Sequence, residues 1–504
     1  MAQMVAFGEF MPDQPPYNNP GSSNIRNVLP RTPGSYGPMP NLVAITGALT
    51  ARCQGGAFAR DSGANVNGFA GDATKLYHQA TGSTTWTDAT RTVGGAYTTP
   101  ADGAWNFGIF DQRIIATNGT DPIQSYVMGS SSNFALLSSG APNARYIAVN
   151  KSFVMVANTT DGTNGPRPQR AWWCAIGDST NWPTLGSVTA TQVQSDAQDL
   201  LGDGGWNQGI VGGLSAADFA IFQERRIWRA IYVGSPAIFA FTQVDSGRGT
   251  PAPGSIIQNG PVVYYLADSG FFGFDGAQAS PIGDQKIDRF FWNDVDQSNL
   301  FRISSAVDPL NKIVYWAYPA KGNSGGNPNR ILAYHYAMQR WTLIDQIQLE
   351  VMLRALTTGY TLEQLDPFGT LETLPYSLDS RVWTGGKLNL AAFDITHKLG
   401  FFSGANLAAT LETSEASLNP NGIAYVNRVW PMVDSGSAMV ALAARNRLAD
   451  AVTYSTPVGI TTTTGSAGVR VSGMFHRAQV TIPAGVAWND AQGVQFDARP
   501  AGQR

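Results

Sequence analysis

Residues 262–283 read VVYYLADSGFFGFDGAQASPIG, and their syntax decides the fold. The run VVYYLA meets Asp268-Ser269-Gly270, FFGF then meets Asp275-Gly276, and a third short run begins. Val, Tyr and Phe favour extended backbone, whereas Asp-Ser-Gly and Asp-Gly supply the left-handed dihedrals and side-chain-to-backbone bonds of tight turns. The stretch therefore reads as consecutive short hairpin strands. Whether its aspartates hold a ligand or only turn the chain depends on whether the same syntax recurs.

It recurs along most of the chain. WNFGIFDQRIIATNGTDPIQSYVMGSSSNFALL (105–137) alternates strands with Asn-Gly and Asp-Pro turns, and ARYIAVNKSFVMVANTTDG (144–162) repeats the pattern. A strand, a Gly/Ser/Asn turn and an aromatic close each unit: LYHQATGSTTW (76–86), SYVMGSSSNF (125–134), WWCAIGDSTNW (172–182) and AIYVGSPAIF (230–239), with LAYHYAMQRW (332–341) a related form. The closing aromatics are Trp86, Phe134, Trp182, Phe239 and Trp341, and the first two steps are 48 residues each. Four short strands with their turns fill roughly 40–50 residues, the size of one propeller blade. A blade buries both faces and loses its free edges only when the ring closes. The expectation is an all-β chain with a β-propeller of about six blades over 41–345. On that reading 262–283 is scaffold in the middle of the fifth blade. A pair of β-sandwiches is the competing arrangement.

The flanks differ in texture. Residues 1–40 are rich in Pro, Asn and Gly and have little periodicity, so they read as an extended N-terminal arm lying over the rest of the chain or a neighbouring copy. Deleting this arm is expected to leave the propeller folded. QIQLEVMLRALTTGYTLEQLD (346–366) holds an expected helical turn before Pro367. GKLNLAAFD (386–394), NLAATLETSEASL (406–418), GVRVSGMFHRAQVTIP (468–483) and GVQFDARPAG (493–502) then alternate again. Residues 346–504 are expected to form a separate C-terminal antiparallel β-sandwich-like domain that mediates assembly contacts.

Composition narrows the function classes. Charged residues make up only 14% of 504, about half the usual share, so neutral polar side chains must cover the surface. Lys and Arg number 33 against 36 Asp and Glu, a balance that lacks the basic excess used to track a nucleic-acid backbone. The local arginines of PRPQR (166–170) and QERRIWR (223–229) suit surface or subunit-interface roles. No run of 18 apolar residues is present, which excludes a spanning helix. MAQMVAFGEFMPDQPPYNNP lacks the basic start and apolar core of a signal peptide, and Cys53 and Cys174 make no disulfide framework. Synthesis in a reducing cytoplasm is expected.

The residues that carry chemistry are sparse. His78, His335, His397 and His476 show no metal-pair spacing, and His78 and His335 hold equivalent places in LYHQ and AYHY, as packing residues would. Cys53 and Cys174 read as buried thiols. GNSGGNP (322–328) lacks the Gly-Lys-Ser/Thr ending of a phosphate loop. DSGANVNG (61–68), NGTDP (118–122) and TTDGTNG (159–165) read as Asx turns, because their order does not match a calcium loop. Asp268, Asp275 and Asp288 are candidate acids for glycoside hydrolysis, and Trp105, Trp172, Trp173 and Trp228 candidate sugar platforms, but blade cores use the same residues. The expected assignment is no catalytic, cofactor-binding or metal site and no cofactor.

WNFGIFDQRIIATNGTDPIQSY (105–126), ARYIAVNKSFVMVAN (144–158), WWCAIGDSTNWP (172–183), PVVYYLADSGFFGFDGAQASPIGDQKIDRFF (261–291) and GVQFDARPAGQR (493–504) together resemble the β-propeller tail hub or nozzle proteins of short-tailed bacteriophages and their packaged-DNA-stabilising relatives. The resemblance covers about 100–345 and the extreme C-terminus. It lies in syntax more than in diagnostic residues. It implies a structural virion protein, not an enzyme, made in the host cytoplasm and housed in the tail. Copies, commonly six, would ring the DNA exit channel beneath portal and adaptor, seal the packaged genome and carry tail fibres or other distal parts. Genomic DNA would pass without sequence-specific binding. The alternatives are another tail component that recognises a receptor, or a propeller-fold enzyme degrading polysaccharide.

Overall fold

A computed structural model describes residues 2–502 except 18, 216–217, 358, 360–364, 367–368, 375–382, 384–385 and 421. The expected helical turn before Pro367 lies largely outside the described residues. The chain is all-β, and its repeats become blades. Four-stranded antiparallel sheets span Gly56–Arg60 to Thr87–Asp88 (blade 1), Asn106–Phe110 to Ala135–Leu136 (blade 2) and Asn143–Asn150 to Asp196–Asp199 (blade 3). They continue with Asn207–Gly212 to Ile238–Ser246 (blade 4), Ile257–Asn259 to Ala279–Pro281 (blade 5) and Ser304–Asp308 to Arg340–Ile344 (blade 6). The innermost strands of neighbouring blades pack side by side around the axis.

The ring closes through a seventh sheet, one more than the expected six or so. Leu349–Leu356, Leu388–Asp394 and Lys398–Asn406 form its inner three strands, and Pro40–Ala48 from the other end of the chain supplies the fourth. Phe401 pairs with Val43, and Ile45, Leu353, Phe393, Leu399 and Phe401 share one core with Tyr77 of blade 1. The boundary expected at 345 therefore falls inside the propeller. The segment between the first two strands of blade 7 interrupts the 48-residue rhythm, and its fourth strand lies some 300 residues earlier.

The sandwich-like body is built from both flanks. One sheet runs Val28–Thr32, Ser35–Pro38, Ala491–Gly502, Ile423–Val433, Val471–Gly473, with Ala2–Ala6 also on Ala491–Gly502. The other runs Ile25–Arg26, Ala409–Glu412, Phe475–Ile482, Met439–Arg445, Val458–Gly459, and is continuous with blade 6 because Arg26 pairs in parallel with Leu343. Blade 6 and this body thus share a nine-stranded sheet. One core holds Val426, Val480 and Phe496 together with Phe271, Trp316 and Trp341 of blades 5 and 6.

The arm does run over the rest of the chain, but as structure the fold needs. Phe7, Phe10, Ile25, Val28 and Tyr36 are buried in that core. The Tyr36 hydroxyl donates to Gly8 O at 2.6 Å and accepts from Arg340 at 2.9 Å, while Lys286 bridges both oxygens of Glu9 at 3.0 Å. These contacts argue against the expectation that removing 1–40 leaves the propeller intact.

The opening stretch is scaffold. Val262–Ala267 pairs with Gly270–Phe274 around the Asp268-Ser269 turn. Phe271 packs on Trp316 and Trp341 of blade 6 at 4.9 and 5.3 Å between ring centres. Tyr265 and Phe274 pack on Phe222 of blade 4 at 5.1 and 6.0 Å. Alternation along the strands thus feeds both neighbours.

Candidate functional site

Each blade leaves the axis from its innermost strand and ends on its outermost. Four antiparallel strands return the chain to the face from which the next innermost strand starts, so all seven begin on one rim. A cavity of about 870 Å³ occupies the axis and is lined by all seven innermost strands. Its charged residues gather near that rim. Arg52 and Asp102 shortly precede the first strands of blades 1 and 2, Arg302 precedes that of blade 6, and Arg145 and Glu350 open those of blades 3 and 7. Arg354 lies further along the strand of blade 7.

Glu350 is the most constrained of these. One carboxylate oxygen accepts the Cys53 N–H at 2.8 Å and the other meets His397 Nδ1 at 2.6 Å. Burial raises the Glu350 pKa, while the Cys53 amide, His397 and Arg52 pull it back. Cys53 is fully buried and its Sγ lies 3.4 Å from Gly55 O; burial lifts its pKa far above that of a free thiol, which disarms it as a nucleophile. Cys174 is buried as well, with its pKa raised to about 12 by burial first. The arrangement joins blades 1 and 7 at the cavity rim.

The remaining candidates are dispersed. Asp268 lies exposed on the turn between the second and third strands of blade 5, and Asp275 on the turn at the opposite end of the sheet. Asp275 accepts the N–H groups of Ala277 and Gln278 at 2.8 Å, which lower its pKa. Asp288 starts the short helix α1 (Asp288–Asp294), where burial, opposed by the Phe271 N–H and aided by Asp13 and Asp284, raises its pKa to about 7. Trp105, Trp172 and Trp173 are buried in or between blades, and the Trp228 indole donates to Gln223.

His78 and His335 both sit in third strands, of blades 1 and 6, as packing residues. His78 meets Asn67 and packs against Phe69 and Tyr126. His335 Nδ1 accepts from Met338 N. Asp61, Asn118 and Asp161 each accept backbone N–H groups two to four residues on, the Asx geometry their motifs imply. Arg170 forks onto Asp199, and Arg226 and Arg229 pair with Asp203 and Asp218.

Sequence reading passed over the rim set. Its members are separated by whole blades and share no local motif. The available signal was positional, since a charged residue falls near the start of the innermost strand in several units. Among the described residues no helix is long and apolar enough to cross a membrane.

No family model and no curated protein matches the chain. Among solved structures it is similar to the extracellular domain of a hybrid two component system from B. thetaiotaomicron, with 10% identity and a TM-score of 0.41 over 77% of this chain. The chain spans 41% of that chain's length. It is also similar to the computationally designed Ika8 protein, with 10% identity and a TM-score of 0.37 over 72% of this chain and 98% of that one. YCF48 bound to D1 peptide gives 12% identity and a TM-score of 0.34 over 61% of this chain and 86% of that one.

Proposed function

We propose that the chain is a structural subunit of a short bacteriophage tail, a hub or nozzle protein. Its copies, six on this reading, ring the DNA exit path beneath portal and adaptor, seal the packaged genome and carry fibres or other distal parts. The observation that carries the reading is the nine-stranded sheet that runs from blade 6 into the terminal body. Two bodies joined by a ladder of hydrogen bonds rather than a linker keep their relative placement, as a passive ring component must. The low charge content supports the same reading, because large subunit contacts bury few charges cheaply.

The test is immuno-electron microscopy of purified particles with antibody against the whole chain, together with mass spectrometry of their proteins. Label in a ring on the short tail is the expected result. Particles devoid of the chain would overturn the reading.

A further inference from the structure

The lining of the axial cavity carries more cations than carboxylates, with Arg52, Arg145, Arg302 and Arg354 against Asp102 and Glu350. Arg52, Arg302 and Arg354 line it, and among the described residues none forms an ion pair. Arg145 donates to the Asp102 main-chain carbonyl at 3.3 Å but comes no closer than 3.9 Å to the Asp102 carboxylate, whereas blade arginines elsewhere fork onto carboxylates, as Arg170 does on Asp199 at 2.6 and 3.0 Å. Glu350, the lining carboxylate beside Arg52, is already engaged by His397 and the Cys53 amide.

Two of the guanidinium groups are held in place by part of their donor set. Arg302 gives one nitrogen to Gly325 O and Asn327 Oδ1, both at 2.7 Å, and its buried Nε meets no acceptor among the described residues. Arg52 gives one nitrogen to Ala101 O at 2.8 Å. Burial first and then the charge of Arg302 lower the Arg52 pKa, opposed in part by Glu350, which places the two cations within reach of each other's field. Fixed like charges repel until an anion joins them, and a guanidinium fork matches the geometry of an oxyanion.

We propose that the axial cavity binds a small ligand bearing an oxyanion, phosphate or carboxylate, gripped by Arg52 and Arg302 at the rim and attracted by Arg354 further in. The volume of about 870 Å³ suits a small molecule, and the half-buried rings of Phe58, Phe107 and Phe301 offer apolar contact to its body. The inference does not depend on whether the chain resides in a virion.

The test titrates the full chain with inorganic phosphate and with citrate in low-salt buffer, by thermal shift and calorimetry, with sodium chloride matching ionic strength. Saturable binding with a raised Tm is expected for at least one probe but not for chloride. Phosphate alone or citrate alone identifies the anion class. Arg302→Gln should weaken binding about tenfold and Arg354→Gln severalfold, while Arg447→Gln, at an exposed pair with Asp450, leaves it unchanged. Arg354 is exposed, so its variant keeps the test alive should Arg302→Gln fail to fold. No binding of either probe, or binding equal in the Arg354 variant and the native chain, overturns the proposal.

Discussion

Asp288 shows how a turn motif acquires a cost through its neighbours. Gly270 has φ +129°, and a Cβ there would lie 2.1 Å from the Asp288 carboxyl, so glycine is required where the blade 5 hairpin meets α1. The carboxyl is pressed against this turn and titrates at about 7. Between pH about 4 and 7 the folded chain holds a proton that the unfolded chain has released, so this group's contribution to stability falls as pH rises. Asp288→Asn should match the native chain near pH 4 and exceed it by about 2 kcal/mol at pH 8, after allowance for partial solvation, in urea unfolding at the two pH values. His476 has the opposite sign. It is 1% exposed, the Ala424 carbonyl nearby does not meet its ring in hydrogen-bond geometry, and burial lowers its pKa to about 4. Unfolded chains take up a proton near pH 6.5 that the fold refuses until about 4, so stability falls as pH drops through that window, by about 3 kcal/mol. In His476→Leu the stability difference from the native chain should shift in the variant's favour by that amount between pH 7 and 4. An unchanged difference would show that the ring is solvated. Neither shift was legible in the sequence, where Asp288 and His476 carry no local mark of burial.

At the scale of elements, the repeat was readable and the closure was not. Trp86 and Phe134 directly precede the outermost strands of blades 1 and 2, and Phe239 and Trp341 lie within those of blades 4 and 6, whereas Trp182 falls in the long connection before the outermost strand of blade 3, so the recurring aromatic marked a real structural position in four of the five units. Blade 7 hid because half its logic is remote: Phe401 meets Val43 across the whole propeller sequence. The Pro-rich arm read as loose because its strands are short and alternate with turns, yet five of its large side chains fill the shared core. Removing 1–38 strips those side chains and the Tyr36–Arg340 bond while leaving the closing strand. We expect that truncate to aggregate or to lose at least 10 °C in Tm, since each large core truncation costs about 2–5 kcal/mol. A Tm within a few degrees of the full chain, by differential scanning calorimetry, would refute the role assigned to the arm.

For the whole molecule, the nine-stranded sheet and the common core make separate melting of propeller and terminal body unfavourable, because either would expose a strand edge and half a core. Calorimetry should show one transition. Two resolved peaks would mean that the shared sheet does not couple the bodies. The same architecture explains which part of the candidate site was legible. Individual arginines were visible, but their convergence on one axis required the number of blades and the common direction of their innermost strands.

By itself the sequence determined the all-β class, the blade-sized repeat and the scaffold role of 262–283, because strand alternation and turn chemistry are local and the side-chain period of a strand is written in consecutive residues. Only the tertiary structure decided how the ring closes, that both flanks build one body, and which charges face the axis. Those depend on pairings such as Val43 with Phe401 and Arg26 with Leu343, made between segments hundreds of residues apart, whose energy lies in shared burial rather than in any local pattern.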